Sequence, residues 1–378
     1  MVLAVRRCDR TAAHGEQRRL TTALVHDYLN QRGGAERVFA HFVRAWPNAP
    51  VYTTIYDERA VGDLVPAGRV HTSFLQRFPL KAHAFRLYAP LYPRAVESLD
   101  LSAYELVVSS TTAWAKGVLT RPGAVHVCYI NTVSRFVFDA QRYVGGFGIG
   151  TLASPLIRTL AAWDVRAASR PTRFVANSRN VADRVRRWYG READVLPCPV
   201  DVEHFTPGSG DGGYYVVVSR LLPYKRVDLA IAACALAGVP LHVVGNGPDE
   251  KRLKALAAGT ETTFHGVVDD AARNAIVGAA HGAILPGEED FGLVPLEAAA
   301  AGRPTIAFAA GGALETIVDG VTGRFFHDQD PRALADVIDA FDPSHYEPQA
   351  LRAHAEAFRP ERFVERLQAI VDETLAKR

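Results

Sequence analysis

The sequence predicts an α/β protein of two Rossmann-like, doubly wound domains facing a central cleft, and three observations predict it. Short apolar strands alternate with helical patterns along most of the 378 residues, the rhythm of parallel sheets covered on both faces. One cluster of loop formers, Thr206-Pro207-Gly208-Ser209-Gly210-Asp211-Gly212-Gly213, interrupts that rhythm, which then restarts. The length is also more than one core usually fills and suits two domains.

In chain order, the first strand is Thr22 to Asp27, followed by a Gly33-Gly34 loop and a helical pattern from Ala35 to Trp46. Strands follow at Leu106 to Ser109, Ala124 to Tyr129 and Arg173 to Asn177. After the interruption they recur at Tyr214 to Ser219, Leu241 to Val244, Thr263 to His265, Gly282 to Leu285 and Thr305 to Phe308. The expected division is a disordered basic tail over 1–20, a first domain over 21–205, a linker over 206–213 and a second domain over 214–359. The last helical pattern, over 360–378, lies far from its own sheet's last strand and is expected to cross back to the first domain. Open sheets bind ligands at the carboxyl ends of their strands, so the cleft should lie there.

Composition narrows the function classes. Hydrophobic residues make up 48% and charged residues 22%, a globular balance that argues against wholesale disorder. The net charge of +2 supplies no general field for nucleic acid, so none is expected as a partner. Cys8, Cys128, Cys198 and Cys234 form no CxxC pair, so reduced thiols are expected rather than a zinc site or a disulfide framework. No apolar run reaches the roughly 18–20 residues that cross a bilayer, and Val2 to Val5 is too short for a signal-peptide core. A cytoplasmic protein is expected. The basic and aromatic stretch over 73–95 could rest on an anionic membrane surface. It carries Phe74, Arg77, Phe78, Lys81, Phe85, Arg86, Tyr88, Tyr92 and Arg94. Its aromatics could equally sit in the core with the cations outside.

The stretch Glu289-Asp290-Phe291-Gly292-Leu293-Val294-Pro295-Leu296-Glu297 carries the most chemistry. Pro295 suits a first helical turn, Leu296 to Ala301 are strong helix formers, and Gly302 with Pro304 ends the run. Phe291, Gly292, Leu293 and Val294 therefore mark a helix entrance, whose free N–H groups and positive dipole end suit an anion. Glu289 precedes the helix and Glu297 lies about two turns further on. Carboxylates accept hydrogen bonds from vicinal hydroxyls, so Glu289 is read as holding sugar hydroxyls and Glu297 ribose hydroxyls. A solvated helix charge is the alternative for each. A second cluster, Ser219-Arg220-Leu221-Leu222-Pro223-Tyr224-Lys225-Arg226, follows a buried strand and suits a diphosphate. Gly245 in Val244-Gly245-Asn246-Gly247 and the Gly33-Gly34 pair allow close backbone approach to a donor, or are plain turns. Ala310-Gly311-Gly312 reads as a turn. No GxGxxG follows the first strand, which argues against a dinucleotide oxidoreductase.

Together these features resemble the GT-B-fold retaining glycosyltransferases of family 4, from about Thr22 to Phe363. Glu289 to Glu297 and the Ser219-Arg220-Leu221…Lys225-Arg226 loop carry most of the likeness. Val25-His26-Asp27-Tyr28…Gly33-Gly34-Ala35-Glu36, Ala115-Lys116-Gly117-Val118 and Asn177-Ser178…Val181-Ala182 are similar to bacterial mannosyltransferases of surface-polysaccharide assembly. The resemblance implies that Glu289 contacts the donor sugar and Glu297 the ribose. It implies that Arg220 and Lys225 neutralise the diphosphate, with Gly34 beneath it. It also implies transfer of a sugar, mannose from GDP-mannose, to an acceptor hydroxyl that polysaccharide assembly would make lipid-linked. No cofactor and no metal are expected, since two cations and a helix end supply the charge. Relatives usually carry His-Thr-Pro where this chain has Asn131-Thr132-Val133. Asn131 hydrogen-bonds but does not titrate near neutral pH. That leaves open a UDP- or dTDP-sugar transferase acting on a small natural product, or a weakened sugar-nucleotide-binding subunit. An epimerase or phosphorylase on the same fold is a further enzyme reading. His126, five residues before Asn131, is expected to be buried in its strand.

Overall fold

The computed structural model describes residues 20–79, 85–138 and 154–378. The basic tail expected over 1–20 therefore falls almost wholly outside the described residues, and so do Cys8 and Lys81.

The first sheet comprises β1 (Thr22–His26), β2 (Val51–Thr53), β3 (Val70–Thr72), β4 (Leu106–Thr111), β5 (Val125–Ile130), β6 (Arg173–Ala176) and β7 (Ala193–Val195). Its order is β3-β2-β1-β4-β5-β6-β7, and every pairing is parallel. The second sheet comprises β8 (Tyr215–Val218), β9 (Leu241–Val244), β10 (Thr262–Gly266), β11 (Gly282–Leu285), β12 (Thr305–Phe308) and β13 (Gly323–Phe326). It runs β10-β9-β8-β11-β12-β13, again parallel throughout. In each sheet the chain starts in the middle, winds to one edge, then returns to wind toward the other. The winding reverses between β1 and β4 and between β8 and β11, and at such a reversal two loops diverge to leave a ligand crevice.

The apolar runs explain which strands are central. Every residue of β4, β5 and β11 is buried, as a strand covered by helices on both faces requires. The strands that periodicity does not reveal are β2, β3, β7 and β13. Three of them are three residues long, and β3 is largely exposed at a sheet edge, so no continuous apolar run announces them.

The last helix, Pro360–Ala376, crosses to the first domain as expected. The Phe363 ring meets Tyr129 at 5.5 Å and Phe42 at 5.8 Å between centroids. Arg173 at the start of β6 donates to the Ile370 carbonyl and to Thr374 Oγ1, both at 3.2 Å, and pairs with Glu373 at 3.1 Å. Within the stretch over 73–95, Phe85 and Tyr92 are core residues packed on Tyr28 at 4.8 and 6.1 Å. Phe74 and Leu87 face solvent together with Arg77, Arg86 and Arg94.

Candidate donor-binding site

Strands β8 and β11 are neighbours, so the loops leaving their carboxyl ends lie side by side. The β8 loop carries Arg220 and Lys225; the β11 loop carries Glu289. The Lys225 ammonium donates to Glu289 Oε1. Burial would lower the Lys225 pKa, but the adjacent Glu289 carboxylate outweighs it and the pKa is raised. The lysine is therefore a half-buried cation at every ordinary pH. Arg220 remains near the surface and donates across the cleft to Gln31 Oε1 at 3.3 Å.

The β11 loop turns into the helix Leu293–Ala300 at Gly292, whose φ of 91° lies in the left-handed region that only glycine enters cheaply. Phe291 is buried before it, its ring 6.2 Å from Phe358. Leu293 and Val294 are the first two helical residues, so their N–H groups lack partners within the helix. Glu297 is the fifth helical residue, one turn into the helix rather than two. Its Oε1 accepts from Arg37 Nη1 at 3.0 Å, a bond between residues 260 apart in sequence.

Arg37 belongs to the helix Gly34–Ala45 of the first domain, which starts at the Gly33-Gly34 loop. The Gly33 N–H donates to Glu36 Oε2 at 3.0 Å, and Gln31 Nε2 donates to the same carboxylate at 3.2 Å, which sets the loop's shape. A Cβ on Gly34 would lie 3.1 Å from Leu293 Cδ1 of the opposite domain. The two helix entrances thus face each other across the cleft. Ala310-Gly311-Gly312 does more than turn the chain. The Gly312 N–H donates to the Glu289 carbonyl at 2.9 Å, and a Cβ on either glycine would lie 2.3 Å from Glu289 or Phe291 backbone. Gly245 sits against the Ser219 carbonyl and the Asn246 carbonyl accepts from the Leu221 N–H at 2.9 Å, so that loop supports the basic one from below.

On the first-domain side, Asn131 follows β5, and its side-chain amide donates to Ser110 Oγ at 3.1 Å and the Thr111 carbonyl at 3.2 Å. The carboxamide thereby ties the carboxyl ends of β4 and β5 together. His126 is buried inside β5 and bonded to Ser109 Oγ at 2.8 Å, its pKa pulled down to about 3 by burial, so it is neutral.

Several residues at the cleft escaped the sequence reading. The buried Asp27 carboxylate accepts from Thr111 Oγ1, Thr112 Oγ1 and the N–H groups of Thr112, Ala113, Trp114 and Ala115, at 2.5 to 3.0 Å. Burial works against its ionisation, yet the neighbouring His26 and this donor set together keep its pKa below the usual value. Asp290 pairs with Arg135 at 2.7 Å and Arg184 at 2.8 Å, and Arg184 reaches Glu288 at 2.7 Å. Glu315 of the second domain accepts from the N–H groups of Arg179 and Asn180 at 2.9 and 3.0 Å. For the second-domain acids the only sequence signal was the run Glu288-Glu289-Asp290; the partners of Glu288 and Asp290 lie in the first domain. Among the described residues, no group of three or more His, Cys, Asp or Glu side chains is placed to hold a metal ion.

Residues 32–204 match glycosyltransferase family 4, and residues 200–356 match glycosyl transferases group 1. The two matches tile both domains and the cleft between them.

The chain belongs to the family 4 glycosyltransferases.

Among its relatives in this family, the D-inositol 3-phosphate glycosyltransferase of Geodermatophilus obscurus is 33% identical over 255 residues, covering 58% of this chain and 56% of that protein. The chain thus spans little more than half the length of that relative. The phosphatidyl-myo-inositol mannosyltransferase of Mycobacterium leprae is 27% identical over 67% of this chain and 77% of its own length. A GDP-mannose-dependent alpha-(1-6)-phosphatidylinositol monomannoside mannosyltransferase of Mycolicibacterium smegmatis is 26% identical over 70% and 84%. The sucrose-phosphate synthase of Thermosynechococcus elongatus superposes with a TM-score of 0.71 at 17% identity, over 95% of this chain and 100% of that one. Anabaena HepE, solved with UDP-glucose, does so at 0.68 and 17% identity, over 93% and 99%. These structures share the GT-B fold expected from the sequence.

Proposed function

We propose that this glycosyltransferase moves a sugar from a nucleoside diphosphate to an acceptor hydroxyl with retention of anomeric configuration. The observation that carries the proposal is the meeting of three parts at one point. They are the Arg220–Lys225 loop, the Glu289–Glu297 helix entrance and Gly34 on the opposing domain. In this reading Lys225 and Arg220 face the diphosphate, Glu289 the donor sugar and Glu297 the ribose. Charge grows on the phosphate oxygen as the anomeric C–O bond breaks. Lys225, Arg220 and the N–H groups at Leu293 and Val294 are arranged to stabilise it. The acceptor oxygen attacks the anomeric carbon from the side the phosphate leaves. The departing phosphate oxygen takes the acceptor proton, so no protein nucleophile takes part, and in this reading Lys225, Arg220 and the helix end supply the positive charge that a metal would otherwise bring.

GDP-mannose is the proposed donor, supported by the name of the Mycolicibacterium relative. A lipid-linked acceptor is supported by the phosphatidylinositol relatives. Phe74 and Leu87, 39% and 78% exposed beside Arg77, Arg86 and Arg94, would rest on an anionic membrane. No helix among the described residues is long and apolar enough to cross one.

A thermal-shift panel of GDP, UDP, dTDP and ADP tests the donor assignment. A ligand at a hundred times its dissociation constant stabilises by about 2.7 kcal/mol, so GDP is expected to raise the melting temperature and the other bases to do little. A larger shift with UDP or dTDP would reassign the donor.

The Arg37–Glu297 bridge yields a second expected result. It occupies the carboxylate that the ribose needs, so Arg37→Ala is expected to tighten nucleoside binding. Half-exposed pairs contribute about 0–1 kcal/mol, which limits the gain to roughly fivefold. Calorimetric titration of both proteins with the stabilising nucleoside measures it, and weaker binding by the variant would make Arg37 a donor ligand instead.

A further inference from the structure

The loop after β5 brings a first-domain cation to the donor site. Both amide hydrogens of Asn131 are taken, by Ser110 Oγ and the Thr111 carbonyl. The charged side chain of this loop is Arg135, which opens the four-residue helix Arg135–Phe138. The residue before it is fixed from behind. Ser134 Oγ donates to the buried Asp164 carboxylate at 2.6 Å, and the Ser134 carbonyl accepts from the N–H groups of Val137 and Phe138 at 2.9 and 3.1 Å. Arg135 itself is 9% exposed. Its guanidinium lies 5.2 Å from the centre of the Tyr224 ring, and the Lys225 ammonium lies 5.0 Å from the same ring. Two cations, one from each domain, thus converge on one aromatic ring of the β8 loop. Burial and the Arg135 charge both press the Lys225 pKa down, and Glu289 overrides them.

The acids around Arg135 do not use it up. Its Nη2 lies 2.7 Å from Asp290 Oδ1, but the same oxygen also meets Arg184 Nη1 at 2.8 Å. Arg184 pairs in addition with Glu288, and Glu289 is held by Lys225. Arg135 therefore shares one carboxylate oxygen with a second guanidinium. Its Nε is buried and has no hydrogen-bond partner among the described residues. A buried donor on an ionised group is costly to leave unmade, so such a group marks a place where something else accepts from it. Beside Lys225 the acceptor that fits is an anion with several oxygens. A guanidinium grips a phosphate through two N–H bonds at once, and the phosphate charge balances two converging cations as a neutral sugar hydroxyl cannot.

We propose that Arg135 is a phosphate-binding residue of the donor site and donates to the phosphate that carries the sugar, opposite Lys225 and Arg220. The proposal rests on the glycosyl-transfer reading above. As the anomeric C–O bond breaks, its electron pair stays on the phosphate oxygen, and Arg135 meets that charge without changing its own proton count. The leaving phosphate is then held between cations of both domains, so its charge is fully met only while the domains are together.

The test is calorimetric titration of the native chain, Arg135→Gln, Arg135→Lys and Asp290→Asn. The ligands are the nucleoside diphosphate and monophosphate of whichever base gives the largest thermal shift. The readout is the preference for diphosphate over monophosphate. A general loosening of the fold does not move that ratio, since both ligands share the nucleoside and the first phosphate. The native chain is expected to prefer the diphosphate. Arg135→Gln should cut the preference by about tenfold, the scale of lost charge-assisted hydrogen bonds, and leave monophosphate affinity within threefold. Arg135→Lys keeps the charge but not the fork and should lose part of the preference. Asp290→Asn removes the competing carboxylate and keeps Arg135, so it should bind the diphosphate at least as tightly as native. A preference in Arg135→Gln within threefold of native overturns the proposal, as does a native chain with no preference. So does an Asp290→Asn variant that loses as much as Arg135→Gln, since Arg135 would then serve only to hold the Asp290 loop. Should Arg135→Gln not fold, Arg135→Lys decides, and a preference within twofold of native overturns the proposal. A native chain that binds none of the four diphosphates refutes the glycosyl-transfer reading itself.

Discussion

Lys225→Ala is expected to lower sugar transfer by about a hundredfold to a thousandfold, the range seen when one preorganised donor to a developing oxyanion is lost. The reason lies in where the ammonium sits. It is half-buried between the β8 and β11 loops against Glu289, so its field acts on the departing phosphate with less screening than a surface cation's. Water does not replace it at the same strength. Lys225→Arg is not expected to restore activity, because a planar fork cannot occupy the place of a compact ammonium. The matching substitution, Glu289→Gln, keeps the side chain's shape and is expected to reduce kcat while leaving nucleotide affinity within a few fold, since Glu289 is assigned to the sugar. Steady-state transfer with the preferred donor, paired with nucleotide titration, separates the two effects. Turnover of Lys225→Ala within threefold of native would remove Lys225 from the diphosphate site.

The second large effect is on stability. Lys116→Met is expected to destabilise the first domain by about 3–5 kcal/mol, the cost of breaking a buried ion pair from one side. The Lys116 ammonium is 1% exposed and lies 2.5 Å from Asp164 Oδ1, and it also donates to the Ala113 carbonyl. Asp164 accepts from Ser134 Oγ and from Tyr189 Oη, both at 2.6 Å. Removing the lysine leaves a buried carboxylate with two hydroxyl partners and no counter-charge. For a domain of this size the loss lowers the melting temperature by roughly 10 °C. Replacing both partners, Lys116→Met with Asp164→Leu, should recover much of it, because the desolvation cost of both charges disappears together. Thermal unfolding of the single and double variants checks this. A single variant melting within 2 °C of native would mean that the network contributes little.

The same pair bears on the cleft. Ala113 lies in the segment that Asp27 holds through six hydrogen bonds, so that segment is gripped from two sides. Thr111, which Asp27 also holds, accepts from the Asn131 amide at its carbonyl. Asn131 is thus tied by its side-chain amide into this buried floor.

What could be read from the sequence was local. Continuous apolar runs announce β4, β5, β9, β11 and β12, because a strand buried on both faces has no polar side to interrupt it. Gly292 announces a helix entrance, and Glu289, Glu297, Arg220 and Lys225 announce themselves by their place just past buried strands. The three-residue strands at the sheet edges do not, since their pairing comes from neighbours rather than from their own side chains. Ala310-Gly311-Gly312 reads as a turn because a glycine pair looks the same whether it turns or makes room. Only the approach of Glu289 and Phe291 shows that it makes room.

The sequence by itself therefore determined the two-domain α/β architecture, the family likeness and which charged residues stand in the loops that leave β8 and β11. Each depends on short-range pattern, on a strand, a loop and a helix start in succession. The tertiary structure alone decided that Glu297 is met by Arg37, Glu289 by Lys225, Asp290 by Arg135 and Arg184, and Glu315 by the start of the helix Arg179–Tyr189. Three of those four meetings cross between the domains, and the fourth joins two loops 64 residues apart. They exist because parallel sheets send their loops to one end and because the last helix ties the two sheets with those ends face to face. No pattern within one segment encodes how two segments a hundred or more residues apart will be brought together.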